Sequence, residues 1–285
     1  MPSKLVEILR NDSNRLEASL HLDSGSARIE VQCLLQAALQ VNRAWLLAHP
    51  EHLPDDGQDA RYQALFARRL HGEPIAYILG EREFYGLNFR MTPATLIPRH
   101  DTELLVELAL QHIPQQGSCR VLDLGTGSGA IALSIAHSRP KAEVTAVDAS
   151  TDALEVARLN TRRLELANVR LMQSSWFDAL HGERFDIIVS NPPYIASGDA
   201  HLSQGDVRFE PRSALASGAD GLDDIRRIIA RAKDHLNANG WLLLEHGYDQ
   251  AAQVRALLRQ AEFSGIFSAR DLAGIERVSG GSKPV

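Results

Sequence analysis

Cysteine is scarce in this chain: its 285 residues include two, Cys33 and Cys119. Two thiols cannot build a disulfide framework or a four-thiolate metal site. The 11 histidines are scattered, with no HExxH pair and no Cys/His ligand spacing, so no metal is expected. No apolar run approaches the roughly 20 residues needed to span a bilayer. The first twenty residues, MPSKLVEILRNDSNRLEASL, are amphipathic and lack the apolar centre of a secretory signal. A reducing, cytoplasmic setting without membrane attachment is therefore expected. A basic excess is missing too. Lys and Arg number 30 against 36 Asp and Glu, for a net charge of −6, which argues against tight, non-specific binding of nucleic acid. Repeats and low-complexity tracts are absent. What is present is an ordinary globular balance, 44% hydrophobic and 23% charged. At about 150 residues per domain the length suggests two domains, and a chain of this size buries enough surface to need no staple.

Residues 1–75 read as helices. Leu5, Leu9, Leu16 and Leu20 form one face. Val31, Leu34, Leu35, Ala38, Trp45 and Leu46 form another stripe, and Tyr62, Leu65, Phe66 and Leu70 repeat the spacing after the turn cluster HPEHLPDDGQD. Nothing in this bundle has the look of a catalytic cluster, and docking or recognition is its expected role. Residues 76–100 change in texture: IAYILGEREFYGLNFRMTP is rich in aromatic and β-branched residues, carries Gly80 and Gly86, and reads as a β-hairpin linker. Pro93 and Pro98 then precede a helix, DTELLVELALQHI, with Asp101 or Thr102 expected as its cap.

From residue 101 onward, apolar runs alternate with helical ones. The runs are 120–124, 143–148, 169–173, 185–190 and 240–247, with weaker ones near 263–269 and 276–280. Continuous apolar strands separated by helices imply a parallel sheet covered on both faces, a doubly wound α/β domain with ligands at the carboxyl ends of its strands.

Two such strand ends carry chemistry. RVLDL leads into Gly125-Thr126-Gly127-Ser128-Gly129, which opens a helix. Glycines allow positive φ and a close backbone approach by a ligand. Asp148 ends the next strand, where a carboxylate accepts bonds from ribose hydroxyls. Gly125-x-Gly127-x-x-Ala130 satisfies a dinucleotide fingerprint as well, which leaves an NAD oxidoreductase open. Asp123, two residues before the first glycine, gives the order Asp-x-Gly-x-Gly-x-Gly, which resembles motif I of S-adenosylmethionine-dependent methyltransferases. Trp176, after the third strand, stands where an indole can stack on adenine.

The fourth strand, FDIIVS, runs into Asn191-Pro192-Pro193-Tyr194. The prolines end the strand and restrict φ on both sides of the turn. The Asn191 side-chain oxygen and the Pro192 carbonyl become a fixed pair of acceptors, matched to the two N–H donors of a planar NH2 group. Tyr194 is expected to lay a flat surface over that group. An amide or a base amine is a poor nucleophile because its lone pair is delocalised. Two acceptors on its hydrogens return density to nitrogen, and alignment does the rest. An N6-adenine-type nucleic-acid methyltransferase poses the same chemical problem and is the alternative reading; a scaffold that binds the cofactor without catalysis is a further one.

The chain resembles the release factor glutamine N5-methyltransferases over nearly its whole length. The shared segments are GEPIAYILGEREFYGLNF, TLIPRHDTE, VLDLGTGSGAIAL, VDAS, SNPPYI, RFEPRSAL, DGL, LLLEHG and ERVS. The resemblance implies a helical N-terminal domain, a hairpin linker and a Rossmann-like seven-stranded domain over residues 101–285. It also implies methyl transfer from S-adenosylmethionine, released as S-adenosylhomocysteine, to the glutamine of a Gly-Gly-Gln loop in peptide chain release factors, without a metal or direct nucleic-acid binding. By position, Gly125 to Gly129, Asp148, Trp176 and Asn191 would hold the cofactor. Asn191, Pro192, Pro193 and Tyr194 would grip the amide, with Asn191, Pro192 and Tyr194 catalytic. A monomer is expected. His100 stands where the family has Pro, and Ser175 where many relatives have an acidic residue. The last strand, ending soon after ERVSGG, is expected to be short.

Overall fold

The computed structural model describes residues 3–285, which fall into two compact units: residues 3–80 with 204–209, and residues 81–203 with 210–285.

The first unit is helical: α1 (Leu5–Leu20), α2 (Ser24–Leu39), α3 (Arg43–Ala48), α4 (Asp56–Leu70) and α5 (Ile75–Leu79). Asp23, Asn42 and Asp55 cap α2, α3 and α4, each accepting a backbone N–H of the first turn. The apolar stripes converge on Leu16, Val31, Leu34, Leu35, Tyr62 and Phe66, all essentially buried. At its edge lies Arg69, 2% exposed. Its guanidinium donates to both oxygens of Glu30 (2.6 and 3.2 Å) and to Asp206 (3.0 Å), so the 204–209 segment is fastened within this unit. α5 occupies the start of the segment expected to be extended. Ala76, Tyr77 and Ile78 bury there as one helical turn, and Gly80 ends it at φ 73°.

The second unit opens with a hairpin, β1 (Glu81–Phe84) and β2 (Leu87–Arg90). Tyr85 and Gly86 both have positive φ (52° and 74°), as a two-residue primed turn requires. Then follow α6 (Glu103–His112), β3 (Cys119–Leu124), α7 (Ala130–Ser138), β4 (Ala142–Asp148), α8 (Thr151–Arg163), β5 (Val169–Gln173), β6 (Phe185–Ser190), α9 (Asp223–Ala232), β7 (Leu236–Glu245), α10 (Ala251–Gln260), β8 (Ser264–Arg270) and β9 (Glu276–Ser282). The seven-stranded sheet has the order β5-β4-β3-β6-β7-β9-β8. Strands β5, β4, β3, β6 and β7 are mutually parallel, and β3 and β6 meet where the winding reverses, the place where such sheets hold ligands.

Three details depart from the sequence-based expectations. The sheet is not wholly parallel: β9 runs antiparallel between β7 and β8, because the five residues joining β8 to β9 allow a hairpin but no crossover. That strand has seven residues rather than few. Neither Asp101 nor Thr102 caps α6. His100–Thr102 form a 3-10 turn continuous with the helix, so Thr102 has helical backbone angles and its hydroxyl is turned elsewhere.

Candidate active site

The strands β3, β4 and β6 deliver their ends to one cleft of about 490 Å³. Its walls include Gly125, Gly127, Asp148, Ser175, Trp176, Asn191 and Pro193, together with Pro93–Leu96 and Pro211, Ser213 and Ala214.

The glycine loop is held from three sides. The backbone N–H groups of Gly125 and Thr126 donate to the Val147 carbonyl on β4, both at 2.9 Å. The Gly127 N–H donates to one oxygen of Asp148 (2.8 Å), and Ser150 N–H to the other (2.9 Å). Asn160 of α8 accepts from Arg90 N–H (2.7 Å) and donates to the carbonyls of Arg90 and Ser128. The hairpin is thus sewn to the loop rather than hung as a free linker. Gly125 is required for two reasons. Its φ is 73°, and a Cβ there would stand 3.3 Å from the Trp176 indole. Trp176 itself has φ 49°. Ser174 stabilises that strained turn by donating to the Trp176 carbonyl (2.9 Å) and accepting from Ala179 N–H (3.0 Å).

Other members of the glycine segment lie behind the cleft. Thr126 is buried and its hydroxyl donates to Asp123 (2.7 Å). Ser128 is buried, and Gly129 packs against Leu133 and Ala157. Asp123 is fully buried; burial pushes its carboxyl up to about 7, and one of its oxygens has no partner.

The NPPY segment is clamped at both ends. Ser190 donates to the Leu124 carbonyl (2.7 Å), binding β6 to β3. Beyond the tetrapeptide, Ile195 N–H donates to Leu215, and the Tyr194 carbonyl accepts from Gln250 Nε2 (2.9 Å). Gly221 fits against that same carbonyl, where a Cβ would come to 2.2 Å. Asn191 Nδ2 donates to Thr102 Oγ1 (3.3 Å). No donor within the described residues takes Asn191 Oδ1 or the Pro192 carbonyl. Pro192 is buried and Pro193 lines the cleft. Tyr194 does not line it: its ring packs on the sheet's core and its hydroxyl donates to Glu245 (3.4 Å). Burial raises the phenol well above its ordinary range.

Residues that motif reading passed over complete the site. Glu210, buried, accepts from Ile97 N–H (3.0 Å) and pairs with Arg99. This joins the LIPR and EPRS segments, two of the stretches that carry the resemblance; their co-occurrence in one chain is the signal that could have suggested the pair. Glu245 stands in LLLEHG, another of those stretches; Gln250 had no such signal. Ser175 lies exposed on the cleft wall.

A doubly wound sheet with a glycine loop, a strand-end carboxylate and NPPY at its switch point defines a methyltransferase. The model of the methyltransferase small domain matches residues 101–208, and that of the PrmC N-terminal domain matches residues 7–80. The chain is 54% identical to the release factor glutamine methyltransferase of Bordetella pertussis over 91% of its own length and 96% of that protein. With the protein of the same name from Pseudomonas aeruginosa the identity is 53%, covering 90% and 93%. The structure of a methyltransferase from Pyrococcus furiosus superposes with TM-score 0.54 at 21% identity, over 77% of this chain and 98% of that one, a likeness of fold. The chain belongs to the release factor glutamine methyltransferase family.

Proposed function

We propose that this protein transfers a methyl group from S-adenosylmethionine to the side-chain amide of a glutamine in peptide chain release factors, presented in a Gly-Gly-Gln loop. The observation that carries this is the pair of acceptors at the end of β6. The Asn191 nitrogen is committed to Thr102, and Asn191 Oδ1 and the Pro192 carbonyl are left without protein donors beside the glycine loop. Two acceptors a fixed distance apart suit the two N–H groups of a primary amide. The lining of the cleft supports this donor: Gly125 and Gly127 permit backbone approach, Asp148 would accept from ribose hydroxyls, and the Trp176 indole would stack on adenine. S-adenosylmethionine supplies an electrophilic methyl carried by a positive sulfonium.

The chain's own residues align and polarise. Accepting both amide hydrogens concentrates electron density on nitrogen and favours its pyramidal form. This is transition-state stabilisation by preorganised groups, worth on the order of 100-fold or more in rate. The clamps on Ser190, Ile195 and the Tyr194 carbonyl keep those acceptors from relaxing when the substrate arrives. A glycine-flanked glutamine suits a recessed site because its neighbours have no side chains to exclude. We further assign the helical unit to docking of the release factor, contributing binding energy away from the reacting amide.

The test offers labelled S-adenosylmethionine with a release factor, its Gln→Ala variant, a short Gly-Gly-Gln peptide and double-stranded DNA. Label on the release factor alone is expected, with the peptide a far weaker acceptor. Label on DNA instead would establish the N6-adenine alternative, and equal label on the Gln→Ala variant would remove the glutamine assignment.

A further inference from the structure

Gln250 stands at the start of α10 and is buried, the residue being 6% exposed. Its amide ties its own turn to two segments far away in the chain. Oε1 accepts from Gly247 N–H (2.8 Å), while Nε2 donates to the Tyr194 carbonyl (2.9 Å) and to the Asp220 carbonyl (3.3 Å). These partners settle which way the amide points: an N–H needs an acceptor and two carbonyls need donors, so the reverse orientation would lose all three bonds. The turn that carries Gln250 is itself buttressed. The Gly247 carbonyl accepts from Gln250 N–H (3.1 Å) and from His246 Nδ1 (2.9 Å), and His246 Nε2 accepts from the Ser279 hydroxyl (2.8 Å).

The peptide plane between Tyr194 and Ile195 is held at both edges, its carbonyl by Gln250 and its N–H by the Leu215 carbonyl (2.9 Å). Gly221 closes on the same Tyr194 carbonyl so tightly that a Cβ would stand 2.2 Å from it. Such a plane turns only by breaking both bonds. Two carbonyls upstream of it is that of Pro192. The Pro193 ring locks one of the torsions between them, and Ser190 fastens the other side of the corner to β3. Without the Gln250 donors, the Tyr194 and Asp220 carbonyls would be left facing one another, and the downstream end of the corner would be free to swing.

We propose that Gln250 is a positioning residue for methyl transfer: through the Tyr194 peptide it holds the Pro192 carbonyl where that oxygen accepts from the substrate amide. This rests on the reading of the Pro192 carbonyl as one of the two acceptors. Gln250 is not among the described residues that line the cleft, so it acts through the backbone and not on the donor or the acceptor directly. A carbonyl displaced by a fraction of an ångström still lies beside the substrate but no longer matches the line of its N–H, and misplacement on that scale costs rate before it costs binding.

The test uses the full chain with Gln250→Met and Gln250→Glu. Met keeps the length of the side chain and gives up its donors. Its kcat on a release factor should fall about tenfold to 100-fold, with the Kd for S-adenosylmethionine unchanged by calorimetry. Glu keeps an oxygen for Gly247 but turns a second acceptor onto the two carbonyls. Burial raises such a carboxyl, and once protonated it can donate to one of them. The groups around it do not hold it ionised. Arg226 is bound to Asp220 and Asp223, Asp249 adds a negative charge next to it, and burial lowers the His246 pKa, keeping that imidazole neutral. Glu245, bonded to Tyr194 and pushed up to about 7, is shared with the wild type and cancels in a ratio. The kcat of Gln250→Glu relative to wild type should therefore climb as pH falls from about 8 to about 5.5, a response that a packing defect does not give. A second readout needs no substrate: in NMR with isotope-labelled proline carbonyls, the Pro192 signal should shift in Gln250→Met and return toward its wild-type position in Gln250→Glu at low pH. Full kcat in Gln250→Met, a loss of donor binding in step with kcat, or an unmoved Pro192 signal overturns the proposal. A Pro192 signal that responds to Gln250 in a protein that does not label the release factor overturns the functional reading and leaves the positioning role standing.

Discussion

The helical unit pairs its buried charges, whereas the sheet unit pairs one, Glu210, and leaves two buried carboxyls short of partners. In the helical unit Arg69 is saturated by Glu30, Asp206 and the Glu73 carbonyl, and Asp12 is shared between Tyr62 (2.7 Å) and Arg15 (2.8 Å). In the sheet unit Asp123 and Glu245 are buried with one oxygen each left unpaired, and both are pushed up to about 7 by burial. Satisfied polar groups specify a packing arrangement. Unsatisfied ones are held in place by a surrounding structure that gains something else from them, and both of these stand at or next to the carboxyl ends of sheet strands.

That contrast can be broken by substitution, and the largest effect should come from Asn191→Ala. It should lower turnover by roughly 100-fold to 1,000-fold while Tm and most of the donor affinity persist, measured by single-turnover kinetics and calorimetry. In the helical unit the sign of the experiment reverses. Arg69→Ala leaves Glu30 and Asp206 without their cation and should destabilise that unit by about 3 kcal/mol, seen in denaturant melts, with donor binding unchanged. Asp148→Ala should weaken S-adenosylmethionine binding by about 1.5–3 kcal/mol, tenfold or more in Kd, with little change in Tm. The smallest effect sharpens the comparison most. A carboxyl whose folded-state pKa is raised keeps its proton longer in the native state than in the unfolded one. The native state therefore loses stability as pH rises from the usual carboxylate range through about 7. Glu245→Gln should consequently raise Tm at pH 8 and not at pH 4, read by calorimetric scans at the two pH values. A lower Tm at pH 8 would place Glu245 with Arg69 among groups retained for stability.

Much of this was legible in one dimension. The five parallel strands were visible because strands covered on both faces are continuous apolar runs, and 169–173 and 185–190 reproduce β5 and β6 to the residue. The cleft residues Gly125, Gly127, Asp148, Trp176, Asn191 and Pro193 were legible because strand-end chemistry is local: a turn, a capping position and a proline act within a few residues. What escaped depended on distance. Tyr194 was read as a platform for the substrate, but the ring's direction is set by Glu245, 51 positions away. Thr102 was read as a helix cap because caps are local; its hydroxyl serves Asn191, 89 positions on. Ile75–Leu79 was read as extended because a five-residue apolar run has no period to measure, and the bundle it joins decides for a helix.

The amino-acid sequence by itself determined the order of strands and helices, the glycine turn, the rigid Asn-Pro-Pro corner and the family to which they belong, because each is encoded by neighbours in the chain. Tertiary structure alone decided which polar atoms at those corners are used up and which are left for a ligand. Glu210 bonded to Ile97, Asn160 sewing the hairpin to the glycine loop through Arg90, and Thr102 receiving Asn191 are pairings across 113, 70 and 89 residues, made only once the chain is folded. A hydrogen bond depends on where atoms come together in space, and that position is fixed by the packing of the whole sheet.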